Sequence, residues 1–267
     1  MVTSFKNNFS KFLNIKYILT LFFSINSLIM QTKLSVNINK IATIRNARGG
    51  NTPNVVQSAA DCERFGAHGI TIHPRPDERH ITTKDTFELA KVVQTELNIE
   101  GYPDQRFMAM VAELKPAQAT LVPDPPHVLT SNAGWDTEKH LMELSNIIAE
   151  IKSHGVRTSI FVDTELKNIE YAAKTGVDRI ELYTGPYAEH FPSNQEEAIA
   201  PYVKAAELAR ELGMEVNAGH DLSLENLAFF KKHIPFLAEV SIGHALISDA
   251  LYFGLENTVQ MYLKELV

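Results

Sequence analysis

The chain has 267 residues, 45% of them apolar and 21% charged, which is too apolar for a disordered chain; with 13 Gly and 12 Pro it is also too poor in both for a fibrous one. Its 25 Lys and Arg against 32 Asp and Glu give a formal net charge of −7, opposite to the basic excess that contacts with nucleic-acid phosphates require. Its single cysteine, Cys62, excludes an internal disulfide framework and any multi-cysteine zinc site.

Residues 1–29 stand apart from the rest. They carry Lys6, Lys11 and Lys16, no acid, and the apolar run Tyr17–Phe23. No Ala-x-Ala-like cleavage site follows, and Ser24, Asn26 and Ser27 interrupt the apolar stretch. We expect Met30 to be the working start and 1–29 an extension outside the fold, with a targeting segment and a membrane anchor as alternatives. Residues 30–267 are expected to form one domain, in the cytoplasm, with neither nucleic acid nor a membrane as partner.

From Leu34 onward, short β-rich runs alternate with longer amphipathic ones. Strands are expected at Leu34–Ile38, Gly69–His73, Asn98–Tyr102, Ala119–Val122, Thr158–Val162, Arg179–Tyr183, Glu215–Ala218 and Glu239–Ile242. Helices are expected at Val55–Phe65, Thr83–Glu96, Asp104–Leu114, Thr137–His154, Leu166–Thr175, Glu196–Leu212 and Leu224–His233. Val55, Ala59 and Cys62 share one helical face, so Cys62 reads as a small buried apolar residue. Gly66, Gly155, Gly176 and Gly213 each follow a helix and precede a strand, where glycine closes the helix in a left-handed conformation. Eight strand–helix units in this length predict a single (βα)8 TIM barrel; no Gly-x-Gly-x-x-Gly follows the first strand to favour a doubly wound sheet.

In such barrels chemistry sits at the C-terminal strand ends. Those ends carry Asn37, Asn39 and Lys40 on the first strand, and His73, Arg75 and His80 on or just after the second. Glu100 lies on the third, Glu181 on the sixth, Asn217 and His220 on the seventh, and Gly243 and His244 on the eighth. So many polar groups converging on one mouth would be costly to bury without a ligand. Glycine ahead of a helix after strands seven and eight suits phosphate, and Arg48 and Arg75 could add bidentate contacts. His73, Glu100 and His220 offer acid–base chemistry near neutral pH. The histidines lack compact metal-ligand spacing, so no metal is expected. Apart from Lys40 no lysine falls at a strand end, which disfavours an enzyme-bound Schiff base.

The segments Val36–Ile38, Ala42–Gly49, Gly69–Arg75, Arg79–Thr82, Glu181–Gly185, Val216–His220 and Ile242–Ala245 together resemble the pyridoxine 5′-phosphate synthase family of vitamin B6 biosynthesis. The resemblance runs from Leu34 to the C-terminus. It implies a homo-octameric barrel without metal or organic cofactor. The implied reaction condenses 1-deoxy-D-xylulose 5-phosphate with 3-amino-2-oxopropyl phosphate, closing a pyridine ring and releasing phosphate and water. By motif position, His73 and Glu100 resemble proton acceptors, His220 the proton donor and Glu181 the residue that stabilises the transition state. Asn37, Arg48, Gly243 and His244 match the holders of the amino-ketone phosphate. Arg75, His80 and Thr130 match those of the deoxyxylulose phosphate, with Asn39 and Lys40 at the first-strand positions.

Three residues depart from the family pattern, and the extension 1–29 has no counterpart in it. Asn39-Lys40 stands where Asp-His is common, and Asp221 replaces a usual glycine after His220, bringing a charge to the substrate-binding turn. The segment Pro123–Trp135 is expected to be a lid that excludes water. Another phosphosugar-handling barrel enzyme, or a barrel that binds phosphorylated ligands without turnover, are the competing expectations.

Overall fold

Along the strands polar and apolar residues alternate, with exceptions such as Gly69, Phe161 and Gly219, and this alternation sets the two faces of the sheet. In the computed structural model, which describes residues 31–123 and 133–267, the strands close into a parallel barrel in sequence order. They are β1 (Lys33–Asn37), β2 (Gly69–Ile72), β3 (Glu96–Gly101), β4 (Gln118–Leu121), β5 (Arg157–Val162), β6 (Arg179–Tyr183), β7 (Glu215–Gly219) and β8 (Glu239–Ile242). Pairing of β1 with β8, Ser35 opposite Ser241, completes the circle. The extension 1–29, Thr130 and most of the expected lid lie outside the described residues.

Among the described residues eleven helices surround the strands. They are α1 (Asn39–Arg48), α2 (Val55–Arg64), α3 (Thr83–Val92), α4 (Gln105–Leu114), α5 (Leu141–Ser153), α6 (Leu166–Lys174), α7 (Gly185–His190), α8 (Gln195–Glu211), α9 (Leu227–His233), α10 (His244–Phe253) and α11 (Leu255–Lys264). The outward strand residues, among them Val36, Ile72, Ile99, Leu121, Ile160, Leu182, Val216 and Ile242, pack with Ala59, Leu89, Val111, Ile148 and Ala206 of this helical layer. The hydrophobic core therefore lies between sheet and helices. Cys62 is buried in it, its thiol pushed up to about 12 by burial and then by the Asp61 and Glu63 charges, so it is inert.

Three helix boundaries differ from expectation. The helix starting at Thr83 stops at Val92, because Glu63 Oε1 accepts the backbone N–H groups of Gln94 (2.8 Å) and Thr95 (2.6 Å) and draws the chain out to begin β3 at Glu96. The one expected from Thr137 starts at Leu141, since the Thr137 hydroxyl donates to Asn168 O at 2.6 Å and residues 137–140 form a turn. Residues 223–226 likewise turn, with Asn226 Oδ1 accepting the Ser223 N–H at 2.9 Å, before α9 starts at Leu227.

The barrel interior is polar. At its lower end Glu96 joins Lys33 and Arg157, while Arg179 reaches Glu215 (2.6 Å), Gln118 (3.1 Å) and Glu239 (3.5 Å). Above this a chain of side-chain hydrogen bonds crosses four strands: Ser35 with Thr71 (2.7 Å), Asn98 to Thr71 (3.3 Å) and Thr120 to Asn98 (2.9 Å). Bonds between non-adjacent strands, such as Arg179 on β6 to Gln118 on β4, identify these side chains as interior.

Candidate active site

The upper strand ends gather the residues singled out by sequence, and α1 is the element that ties several of them together. Asn37 ends β1; its Oδ1 accepts the Asn39 N–H at 3.1 Å, turning the chain directly into α1. Asn39 Oδ1 in turn accepts the His73 N–H at 2.9 Å. Only an acceptor oxygen is needed there, so the amide replaces the family's carboxylate in that contact. The Asn37 amide donates to Glu100 Oε2 at 3.4 Å, across β2. Gly243 packs on Asn37 so closely that a Cβ would stand 3.1 Å from its side chain.

One turn further along α1, Arg45 is buried and grips Asp85 through two bonds of 2.5 and 2.7 Å. It also donates to His80 O (3.2 Å), as Asn46 does (2.8 Å), which positions the loop after β2. Arg45, which the sequence did not single out, is therefore structural, and Arg48 is exposed on the last turn of α1.

His73 and His80 face each other with ring centroids 6.0 Å apart. Burial first, and then the positive surroundings of His80, Arg75 and Arg79, lower His73 to about 3. Burial, Arg75 and Lys40 lower His80 to about 4, and its Nδ1 accepts the Ile81 N–H at 2.9 Å, which leaves the proton on Nε2. Both rings are neutral near pH 7. Arg75 is itself buried beside them.

Across the mouth His220 behaves oppositely. Burial would lower it, but the hydrogen bond and charge of Asp221 and the charge of Glu100 outweigh burial and the opposing Lys40, so it is raised. Its Nδ1 lies 2.6 Å from Asp221 Oδ2, and Tyr183 meets the ring edge-on, centroids 5.6 Å apart. Glu181 is buried one strand away. Burial, then the Glu100 and Glu239 charges, hold it well above the usual carboxylate range.

Glu181 Oε2, both amide atoms of Asn217 and the Ser159 hydroxyl are buried without hydrogen-bond partners among the described residues. Ser159 was not singled out from sequence. The alternation in Arg157–Val162 was the available signal, since it puts Arg157, Ser159 and Phe161 on one face. His244 is exposed at the start of α10. Among the described residues no group of three or more His, Cys, Asp or Glu side chains is placed to hold a metal ion, and no helix is long and apolar enough to cross a membrane.

A family model described as pyridoxal phosphate biosynthesis protein PdxJ matches residues 34–267. The pyridoxine 5′-phosphate synthase of Parabacteroides distasonis is 62% identical over 231 residues, covering 86% of this chain and 97% of that protein. The protein of the same name from Cytophaga hutchinsonii is 62% identical over 235 residues, covering 88% and 99%. Among solved structures, tryptophan synthase from M. tuberculosis superposes with a TM-score of 0.62 at 12% identity, over 89% of this chain and 93% of that one. The 3-keto-L-gulonate-6-phosphate decarboxylase of Vibrio cholerae does so with 0.60 at 10% identity, over 88% and 97%. At such identities these two share the fold and nothing more is drawn from them.

Proposed function

The chain belongs to the family of the pyridoxal phosphate biosynthesis protein PdxJ, and on that premise we propose that it is a pyridoxine 5′-phosphate synthase. It condenses 1-deoxy-D-xylulose 5-phosphate with 3-amino-2-oxopropyl phosphate, giving pyridoxine 5′-phosphate, phosphate and water. Joining an amine to a ketone and then closing a ring with loss of water needs protons removed from carbon and nitrogen and delivered to departing oxygens. One feature carries the proposal: the mouth holds two histidines whose surroundings push them in opposite directions, His73 down through burial and His220 up through Asp221 against burial.

In this scheme His73 and Glu100 accept protons. Because the imidazolium of His73 is disfavoured by burial, a proton taken there is passed on rather than held. His220 donates. Glu181, kept neutral, hydrogen-bonds to oxygen as charge develops. Arg75 and His80 face the deoxyxylulose phosphate together with Thr130, and Asn39 and Lys40 approach it from α1. Asn37, Arg48, Gly243 and His244 take the amino-ketone phosphate. The Schiff base forms between the two substrates, in keeping with the scarcity of lysine at the mouth. A homo-octamer in the cytoplasm is the assembly that goes with this reading, and sedimentation velocity tests its size.

Purified full-length protein given both substrates should release pyridoxine 5′-phosphate, followed by absorbance. Absence of product from folded protein overturns the proposal, and turnover of a single phosphosugar favours a different barrel enzyme.

A further inference from the structure

His220 adopts φ +89°, a left-handed backbone that is strained for a residue bearing a Cβ and persists only where its surroundings enforce it. The turn after β7 is enforced from several sides. The His220 N–H donates to Ser241 O at 3.3 Å. The Thr184 hydroxyl donates to Gly219 O at 2.6 Å and accepts the Asp221 N–H at 3.0 Å. Asn226 Nδ2 holds Asp221 O at 3.3 Å. With its N–H committed to Thr184, position 221 offers a ligand its side chain, and that carboxylate is turned onto His220 Nδ1 at 2.6 Å. A carboxylate there would also repel a phosphate held at the same point.

We propose that Asp221 is the positioning residue of His220: its carboxylate holds the ring by Nδ1–H and leaves Nε2–H facing the mouth as the acid of the reaction. The inference rests on the synthase reading and adds to it an aspartate–histidine pair at a position where the family pattern has glycine. The groups facing His220 are Asp221 in its own turn, Glu100 from β3, Lys40 from α1 and Tyr183 from β6. Two negative charges against one positive favour the imidazolium, and removing Asp221 leaves one of each.

The test compares the full chain with its Asp221→Asn variant, which keeps the shape and an acceptor oxygen but not the charge. The His220 resonance is assigned by its loss in His220→Gln and titrated by NMR. It should titrate about one pH unit lower in Asp221→Asn. In the two-substrate assay the alkaline limb of kcat should move down by the same amount. At a pH above both limbs kcat then falls about tenfold, and midway between them about threefold; below both limbs it stays within about twofold, with KM for each substrate unchanged. An unmoved His220 titration overturns the pairing. A moved titration with an unmoved kcat profile overturns the role in turnover, and a rise in KM at constant kcat assigns Asp221 to substrate binding instead. If the wild type makes no product, the synthase reading fails while the NMR titration still decides whether the pair exists.

Discussion

Glu96 and Glu181 both point into the barrel, yet they are treated in opposite ways. Glu96, at the lower end, meets Lys33 and Arg157, whose hydrogen bonds overcome the effect of burial and hold its carboxyl down to about 2. Glu181, near the mouth, is raised well above the usual carboxylate range by burial and then by the Glu100 and Glu239 charges. The same contrast runs through both ends. Below, Arg179 serves Glu215, Glu239 and Gln118. Above, Asn217 and Ser159 are buried without partners among the described residues. Polar groups that satisfy one another stabilise the fold, whereas polar groups left facing one another are what a polar ligand can satisfy.

The largest expected effect breaks the upper end alone. His220→Ala should lower kcat by ~10²–10⁴ while the denaturant midpoint moves little; equal losses of kcat and phosphate affinity would make the residue a binder. Next, Arg179→Ala should cost about 3–5 kcal/mol of unfolding free energy in urea, because it leaves buried Glu239 without its cation. Loss of activity without loss of stability there would contradict the division of labour.

The third prediction concerns pH. Glu181 is raised in the fold and keeps its proton where the unfolded chain has lost it. Its stabilising effect is therefore full below the ordinary glutamate range and is lost as pH rises, with a limiting slope of about 1.4 kcal/mol per pH unit. Glu181→Gln should remove that slope, so its stability relative to wild type grows as pH rises above about 5, while turnover falls. An identical pH dependence in the two proteins would show Glu181 to be ionised. The smallest expected effect sharpens the contrast inside the barrel. Thr120→Val should cost ~1–3 kcal/mol by stranding Asn98 and Gln118, whereas Ser159→Ala should change stability by less than ~1 kcal/mol.

Where a capping side chain marks a helix start, the sequence is legible to within one residue. Asn54, Thr82, Asp104 and Asn194 each accept a backbone N–H at the starts of α2, α3, α4 and α8. The helices α1, α7 and α11 were not singled out, α10 was expected only as a helix start after strand eight, and none has a side-chain N-cap bond. They begin instead where a strand end or an earlier helix delivers the chain. At the site, the convergence of Asn37, His73, Glu100, Glu181 and His220 was legible because strand ends in a barrel share one rim. The burial of Arg45 against Asp85 was not, since nothing in the local sequence pairs that guanidinium with a carboxylate forty residues on. Of the segment Pro123–Trp135, expected to be a lid, Pro123 and residues 133–135 are described, and the Trp135 indole donates to Leu121 O at 3.1 Å.

Alternation of polar and apolar residues, helix-closing glycines and the order of elements were enough to determine a closed parallel barrel, because periodicity and chain order are local properties. The protonation of each group was decided by the tertiary structure. Burial and neighbouring charge come from other strands, and only closure of the barrel brings Glu100 toward Glu181 and His220, Lys33 to Glu96, and Asp221 onto the ring beside it.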